Sequence, residues 1–394
     1  MKGRAPTTGA TSGDLLDLIR SGRATTRGEL GATTGLSRST IAQRVDALLA
    51  SGLVNEVAGT TSTGGRPPSR LVFNTGAGVV LVADLGATHA TLAVCDLSAD
   101  PLAMHGENID IADGPDAILD WVRRGFDRLL ADAGRRVDEV RGIGIGVPGP
   151  VDFSSGVAVK PPIMPGWNGV SIRAPFERYG VPVLVDNDVN AMALGEYWRR
   201  TGEGDDLVVV KVGTGIGAGL IINGQIHRGA QGSAGDLGHV QAGGDVVCSC
   251  GNTGCLEASA GGAALARQLR FMGYDTETGL DVVELVERGN TDAITAVREA
   301  GRLLGSVLAS VVNMLNPSTI LVGGSLAMAD DHLLAGLREV VFRRATSLST
   351  SELQLAKCAL GDEAGVIGAA AMVAEQLFDP RAVEASLPRR AAAG

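Results

Sequence analysis

Apolar residues recur at helical spacing near the start of the chain. Leu15, Leu16, Leu18 and Ile19 share one face of a segment that opens at Asp14 and stops at Ser21-Gly22. Thr26 with Glu29 three positions later forms a capping box that starts a second, short helix; Gly35 ends it. Ser37 caps a third helix with an inward face of Ile41, Val45, Leu48 and Leu49. Leu53-Val54 then begins a strand, residues 60–68 carry turn chemistry, and Arg70-Leu71-Val72-Phe73 returns. Two helices around a tight glycine turn, followed by strand–turn–strand, predict a winged helix-turn-helix over residues 14–75. The alternative is a helical dimerisation unit.

Beyond residue 78 the pattern changes to unbroken apolar strands ending in glycine. Val79–Ala83 runs into Asp84-Leu85-Gly86-Ala87-Thr88, and Thr91–Val94 resumes the strand. The design recurs as Leu207–Val212, then Gly213-Thr214-Gly215-Ile216-Gly217, then Leu220–Ile222. A third strand, Thr319–Val322, ends at Gly323-Gly324. Val183-Leu184-Val185 leads into Asp186-Asn187-Asp188-Val189-Asn190 and a helix over 191–199. The most apolar stretch, Leu303–Leu315, is interrupted by Ser306, Ser310 and Asn313 and reads as a buried helix. No apolar run approaches the about 18 residues of a membrane span.

Length and charge sharpen this division. A chain of 394 residues suggests two or three domains. The formal net charge is −10, which taken alone argues against nucleic acid. The distribution argues otherwise. Residues 1–75 hold nine Lys/Arg (Lys2, Arg4, Arg20, Arg23, Arg27, Arg38, Arg44, Arg66, Arg70) against five acids (Asp14, Asp17, Glu29, Asp46, Glu56), leaving the remainder at −14. A basic head on an acidic body suits a DNA-binding module carried by a soluble sensor. Arg outnumbers Lys thirty to four. The N-terminus lacks a secretory signal pattern, so a cytoplasmic location is expected.

Candidate chemistry falls at the ends of these elements. Ser37, Arg38, Ser39, Thr40, Gln43 and Arg44 lie towards the start of the third helix, where arginine reads guanine, glutamine reads adenine and hydroxyls meet phosphate. Arg66, between glycine and proline in the wing, suits a narrow minor groove. Asp84 at a hairpin mouth could hold magnesium or water, with Gly86 and Thr88 facing a phosphate. Gly213, Thr214 and Gly215 form a second such loop, and an adenine could lie at Gly323 and Gly324. A glycine-rich bend in a sheet is the plainer reading. Asp188 stands at a strand's carboxyl end and a helix start, where it could orient a sugar hydroxyl for attack on a phosphate. Helix capping would need only one of the three Asx residues there. His239, Cys248, Cys250 and Cys255 make a Cys₃His set suited to structural zinc, with a catalytic cysteine or reduced thiols as the alternatives.

Together these segments resemble the ROK family (repressors, open reading frames, kinases) over roughly residues 10–380. The resemblance rests on the Cys248–Glu257 run, the Asp186–Asn190 run and Gly232-Ser233-Ala234-Gly235-Asp236-Leu237-Gly238-His239. It implies an actin-like, ribonuclease-H-like fold of two α/β lobes behind the head. It also implies that Asp188 matches the kinases' catalytic base, and that Asn187, Asp236, His239 and Glu257 match sugar-contacting positions. Some positions depart from the kinases. Asp236 replaces a glutamate, Ile163 an asparagine, and Gly86-Ala87-Thr88-His89 a Gly-Gly-Thr-Lys.

The expected organisation is a flexible tail over 1–13, the head over 14–75, a sugar-kinase-like body over 76–380 and a tail over 381–394. Within the body the lobe boundary lies near 188–200, and a C-terminal helix returns to the first lobe. The expected function is a transcriptional regulator, a repressor, of carbohydrate metabolism. It would act as a homodimer or homotetramer on a pseudo-palindromic DNA operator, with a sugar or sugar derivative as effector, a structural zinc ion and no membrane. The alternative is an ATP-dependent sugar kinase of the glucokinase type, which would need ATP and Mg²⁺.

Overall fold

The computed structural model describes residues 9–58, 69–200, 204–329 and 331–387. The head begins with α1 (Ser12–Arg20), α2 (Arg27–Thr34) and α3 (Arg38–Ala50), followed by the antiparallel pair β1 (Val54–Val57) and β2 (Arg70–Phe73). Both capping boxes are formed: Thr11 with Asp14 starts α1, and Thr26 with Glu29 starts α2. Gly35 closes α2 at φ 70°, a left-handed cap that glycine adopts without steric cost. Leu15, Leu16, Leu30, Ile41, Val45, Leu48 and Leu71 bury the head's interior. The chain therefore becomes helical at Ser12 rather than Asp14, because Thr11 and Asp14 satisfy the first orphan backbone donors between them.

The body repeats one sheet design twice. Its first sheet comprises β3 (Val79–Leu85), β4 (His89–Cys95), β5 (Pro101–Asn108), β6 (Val140–Val147) and, beyond the small hairpin β7 (Val151–Asp152) and β8 (Val157–Ala158), β9 (Val183–Asn187). The order is β5-β4-β3-β6-β9, antiparallel through β3 and parallel from there on. Helix α4 (Pro115–Asp132) covers one face. Helix α5 (Asp188–Arg199) then leads to the second sheet, made of β10 (Leu207–Val212), β11 (Ile216–Ile222), β12 (Gln225–Ile226), β13 (Thr319–Gly323) and β14 (Gln354–Lys357). Its order is β12-β11-β10-β13-β14, with the same antiparallel and parallel halves. Between β12 and β14 lie α6 (Leu256–Ala260), α7 (Gly262–Phe271), α8 (Gly279–Glu287), α9 (Thr291–Leu315), α10 (His332–Arg344) and α11 (Ser347–Thr350).

Helix α12 (Glu363–Leu377) runs back against β3 and β6 and packs closely on α5. The two backbones touch through glycine: a Cβ at Gly195 would collide with the Ala364 carbonyl, and one at Gly368 with that of Ala191. The last element, α13 (Pro380–Ser386), lies where a tail was expected. Pro380 lies against Gly13 of α1, and Glu384 accepts the Ser12 backbone N–H at 3.0 Å. Phe378 meets Phe73 edge-on at 5.2 Å, with the Arg20 guanidinium 4.4 Å from the Phe378 ring and 5.9 Å from Trp198 at the end of α5. Head and body thus share one continuous apolar core. Among the described residues no helix is long and apolar enough to cross a membrane.

Candidate functional site

The cleft is built from the ends of four elements. Asp84 ends β3, Asp188 opens α5, Asp362 stands at the start of α12, and Lys211 lies near the end of β10. Lys211 Nζ donates to Asp188 Oδ2 at 2.6 Å. Burial alone would lower the Lys211 pKa, but Asp188, Asp84 and Asp362 outweigh it and hold the ammonium above its ordinary value. Asp84 Oδ1 is enclosed without a hydrogen-bond partner, and burial lifts its carboxyl to about 6 despite the nearby ammonium. His89 borders the same group, and burial together with Lys211 lowers its pKa.

The three Asx residues divide the work. Buried Asp186 accepts from Asn187 N and Asn190 Nδ2 and pairs with Arg228 at 2.7 Å. The Arg228 guanidinium in turn lies 3.8 Å from the Phe153 ring. Asn187 caps α5 by accepting from Val189 N, and its amide donates to the Gly149 carbonyl at 3.3 Å. Asp188 pairs with Lys211, so Asp186, Asn187 and Asp188 serve as framework, helix cap and cleft carboxylate in succession.

Glu257 sits beneath the glycine loop, accepting from Ile216 N at 3.0 Å, and a Cβ at Gly215 would strike its carboxylate. Gly213 and Thr214 offer carbonyls to the N–H groups of Gly262 and Ala263 at the start of α7. In the first loop Gly86 lies against His89, while Thr88 is exposed. Gly323 is packed by Met192 and Cys358, and Gly324, at φ 85°, lies against the Val212 backbone. Ile163 is exposed, whereas Met164 and Trp167 beside it are buried, with Met164 and Pro161 against Gly149.

A sulfur cluster lies beside Glu257, whose side chain borders Gly238 next to His239. The candidate ligand atoms of His239, Cys248, Cys250 and Cys255 all lie within 4.8 Å of one another. His239 Nδ1 is 3.5 Å from Cys248 Sγ, and Cys250 Sγ is 3.7 Å from Cys255 Sγ. The other ring nitrogen of His239 faces the exposed Asp236 at 3.9 Å. These four residues could hold a metal ion. Cys95 and Cys358 stand apart, and burial raises both thiols.

In the head, Ser37 caps α3 by accepting from Thr40 N, and its hydroxyl meets those of Ser39 and Thr40 at 2.9 Å. Ser37, Arg38, Ser39 and Gln43 are exposed and Thr40 partly so. Arg44 is half-buried, and its Nη1 is enclosed without a hydrogen-bond partner, so it is less available than its neighbours. Arg66 lies outside the described residues. Sequence reading passed over Lys211, Asp362 and the Arg20–Phe378 junction. Only Lys211 left a trace, as a charge inside a run of valines.

The sequence profile described as ROK family matches residues 80–376. The xylose repressor of Caldicellulosiruptor bescii is 29% identical over 380 residues, spanning 92% of this chain and 95% of that protein. A crystal structure of a ROK family transcriptional regulator, described as a homolog of the E. coli MLC protein, superposes with a TM-score of 0.81 at 25% identity. It covers 94% of this chain and 97% of its own. A ROK family glucokinase from Streptomyces griseus, solved with glucose and AMPPNP, superposes with a TM-score of 0.64 at 29% identity, covering 75% of this chain and 99% of its own.

Proposed function

The chain belongs to the ROK family, and on that premise we propose that it is a DNA-binding transcriptional repressor of carbohydrate metabolism. The observation that carries this is coverage. The regulator covers 94% of this chain, whereas the glucokinase, matched over 99% of its own length, covers 75% of it and leaves about as many residues over as the head contains. In this reading α2 and α3 are a helix-turn-helix and β1–β2 the base of a wing. Exposed Arg38, Ser39 and Gln43 are offered to the major groove, with Ser37 and Thr40 near phosphate. Arg66 is assigned to the minor groove, and Arg44 contributes only after turning outward. A homodimer or homotetramer presents two heads to a pseudo-palindromic operator.

The body (76–380), to which α13 adds a clasp on the head (14–75), senses a sugar or sugar derivative. Asp188, Asn187, Asp236, His239 and Glu257 supply polar groups for hydroxyls. The sulfur cluster holds structural zinc. Zn–S near 2.3 Å and Zn–N near 2.0–2.1 Å imply tetrahedral edges of about 3.8 Å and 3.6 Å, and the separations of 3.7 Å and 3.5 Å fit them. The zinc ligand His239 thereby ties the metal knuckle to the sugar cleft.

Selection from a random duplex library with the zinc-loaded full chain tests the reading. A two-fold symmetric site with half-sites about 10 base pairs or a multiple apart should be enriched. One sugar of a panel including xylose and glucose should change that binding. Enrichment of no sequence, or sugar phosphorylation at about 10 per second, would overturn it.

A further inference from the structure

Lysine is rare in this chain: four residues against thirty arginines. One of the four is the single charge within β10, placed just before the glycine loop. Its side chain is 21% exposed, at the floor of the cleft, and its ammonium donates to Asp188, which is 8% exposed. Asp84 and Asp362 act on the same ammonium. Arginine would bring a broad planar fork; lysine brings a compact point charge that fits among converging carboxylates.

These carboxylates are what a magnesium nucleotide would require. Mg²⁺ takes oxygen ligands at about 2.0–2.1 Å and leans on one or two carboxylates plus phosphate oxygens. Asp84 is the acid the hairpin mouth would supply, and its enclosed Oδ1 has no hydrogen-bond partner. With an ammonium already among the three acids, a divalent cation meets like charge, and Asp188 is already engaged. The residues present therefore do not fit Mg²⁺–ATP.

We infer that Lys211 is a built-in cation that takes the place of the divalent metal in this cleft, so that the site receives a neutral polyol without metal or nucleotide. Lys211 supplies one permanent positive charge among these acids, engaging Asp188 Oδ2 and leaving Asp188 Oδ1 to accept a sugar hydroxyl. The assignment goes beyond DNA binding, and its test contains no DNA.

The test is a Mn²⁺ titration of the zinc-loaded full chain by calorimetry and water-proton relaxation. Wild type should show no Asp84-dependent site. Lys211→Met, similar in length but neutral, should gain one Mn²⁺ per chain, bound on the order of tenfold or more tighter than any Mn²⁺ site of wild type. Adding Asp84→Asn should abolish the gain, and Lys211→Arg, which keeps the charge, should not acquire it. Mn²⁺ should also raise the melting temperature of Lys211→Met and leave that of wild type unmoved. An Asp84-dependent Mn²⁺ site in wild type, as tight as in Lys211→Met, would overturn the inference, and so would a folded Lys211→Met that gains nothing. If Lys211→Met does not fold even with Mn²⁺, wild type against Asp84→Asn decides: equal Mn²⁺ binding upholds the inference, and a loss in Asp84→Asn refutes it.

Discussion

Replacing Phe378 with alanine should undock the head. The ring is 6% exposed, meets Phe73 edge-on at 5.2 Å and carries the Arg20 guanidinium at 4.4 Å. Truncating a buried phenylalanine costs about 3–5 kcal/mol. The edge-to-face pair, about 0.5–1.5 kcal/mol, and the cation–π contact, about 0.5–2 kcal/mol, are shares of that loss. They also identify it with the junction, since both partners belong to the head. At the lower end, about 3 kcal/mol, the docking equilibrium shifts on the order of a hundredfold. Hydrogen exchange reads this locally: backbone amides of α1 should exchange about a hundred times faster, while those of β3, β10 and α9 keep their protection. Phe271→Ala, at a ring that is 88% exposed, serves as the control and should change neither. Unchanged protection of α1 in a folded Phe378→Ala protein, or an equal loss everywhere, would refute the reasoning.

Three further outcomes are expected. Metal analysis should find one zinc per chain, lost in Cys250→Ser and retained in Cys95→Ser and Cys358→Ser, because Cys250 belongs to the cluster and the other two do not. Arg38→Ala should weaken operator binding by about 1–3 kcal/mol if it reads a base edge, measured by fluorescence anisotropy at fixed salt. Arg44→Ala should cost less, since Arg44 is half-buried. Asp84 has its carboxyl lifted from 3.8 to about 6 in the fold, so its contribution to stability is fully present below about pH 4 and is lost as pH rises through 6. Asp84→Asn should therefore melt higher than wild type at pH 8, and the gap should close towards pH 4.

What the sequence disclosed followed from short-range chemistry. The Thr26–Glu29 box, the left-handed Gly35 cap and the Ser37 cap are decided within a few residues, and the head helices sit where those signals put them. The cysteine and histidine cluster was legible because spacing on one loop brings its thiols together. Lys211 was not, because its meaning depends on three acids from three other elements, and strand periodicity carries no information about them. The α1–α13 contact escaped for the same reason: Ser12 and Glu384 are 372 positions apart, and neither side bears a mark of the other. Arg44 is placed by helical spacing among the DNA-reading residues of α3, but spacing names the face and not how deeply its edge is covered.

The contact between the first helix and α13 bears on how the molecule is made. Its two sides leave the ribosome far apart in time. With 372 positions between Ser12 and Glu384, elongation at about 5–20 residues per second separates them by roughly 20–75 s. Throughout that interval the head, already translated, has no Phe378 or Pro380 to close upon. A nascent chain therefore carries an unclasped head, and the clasp closes only when translation has passed Glu384. Docking is in this sense a proofreading of length: a chain cut short before α13 keeps every residue of the head and cleft yet cannot acquire the head's final orientation.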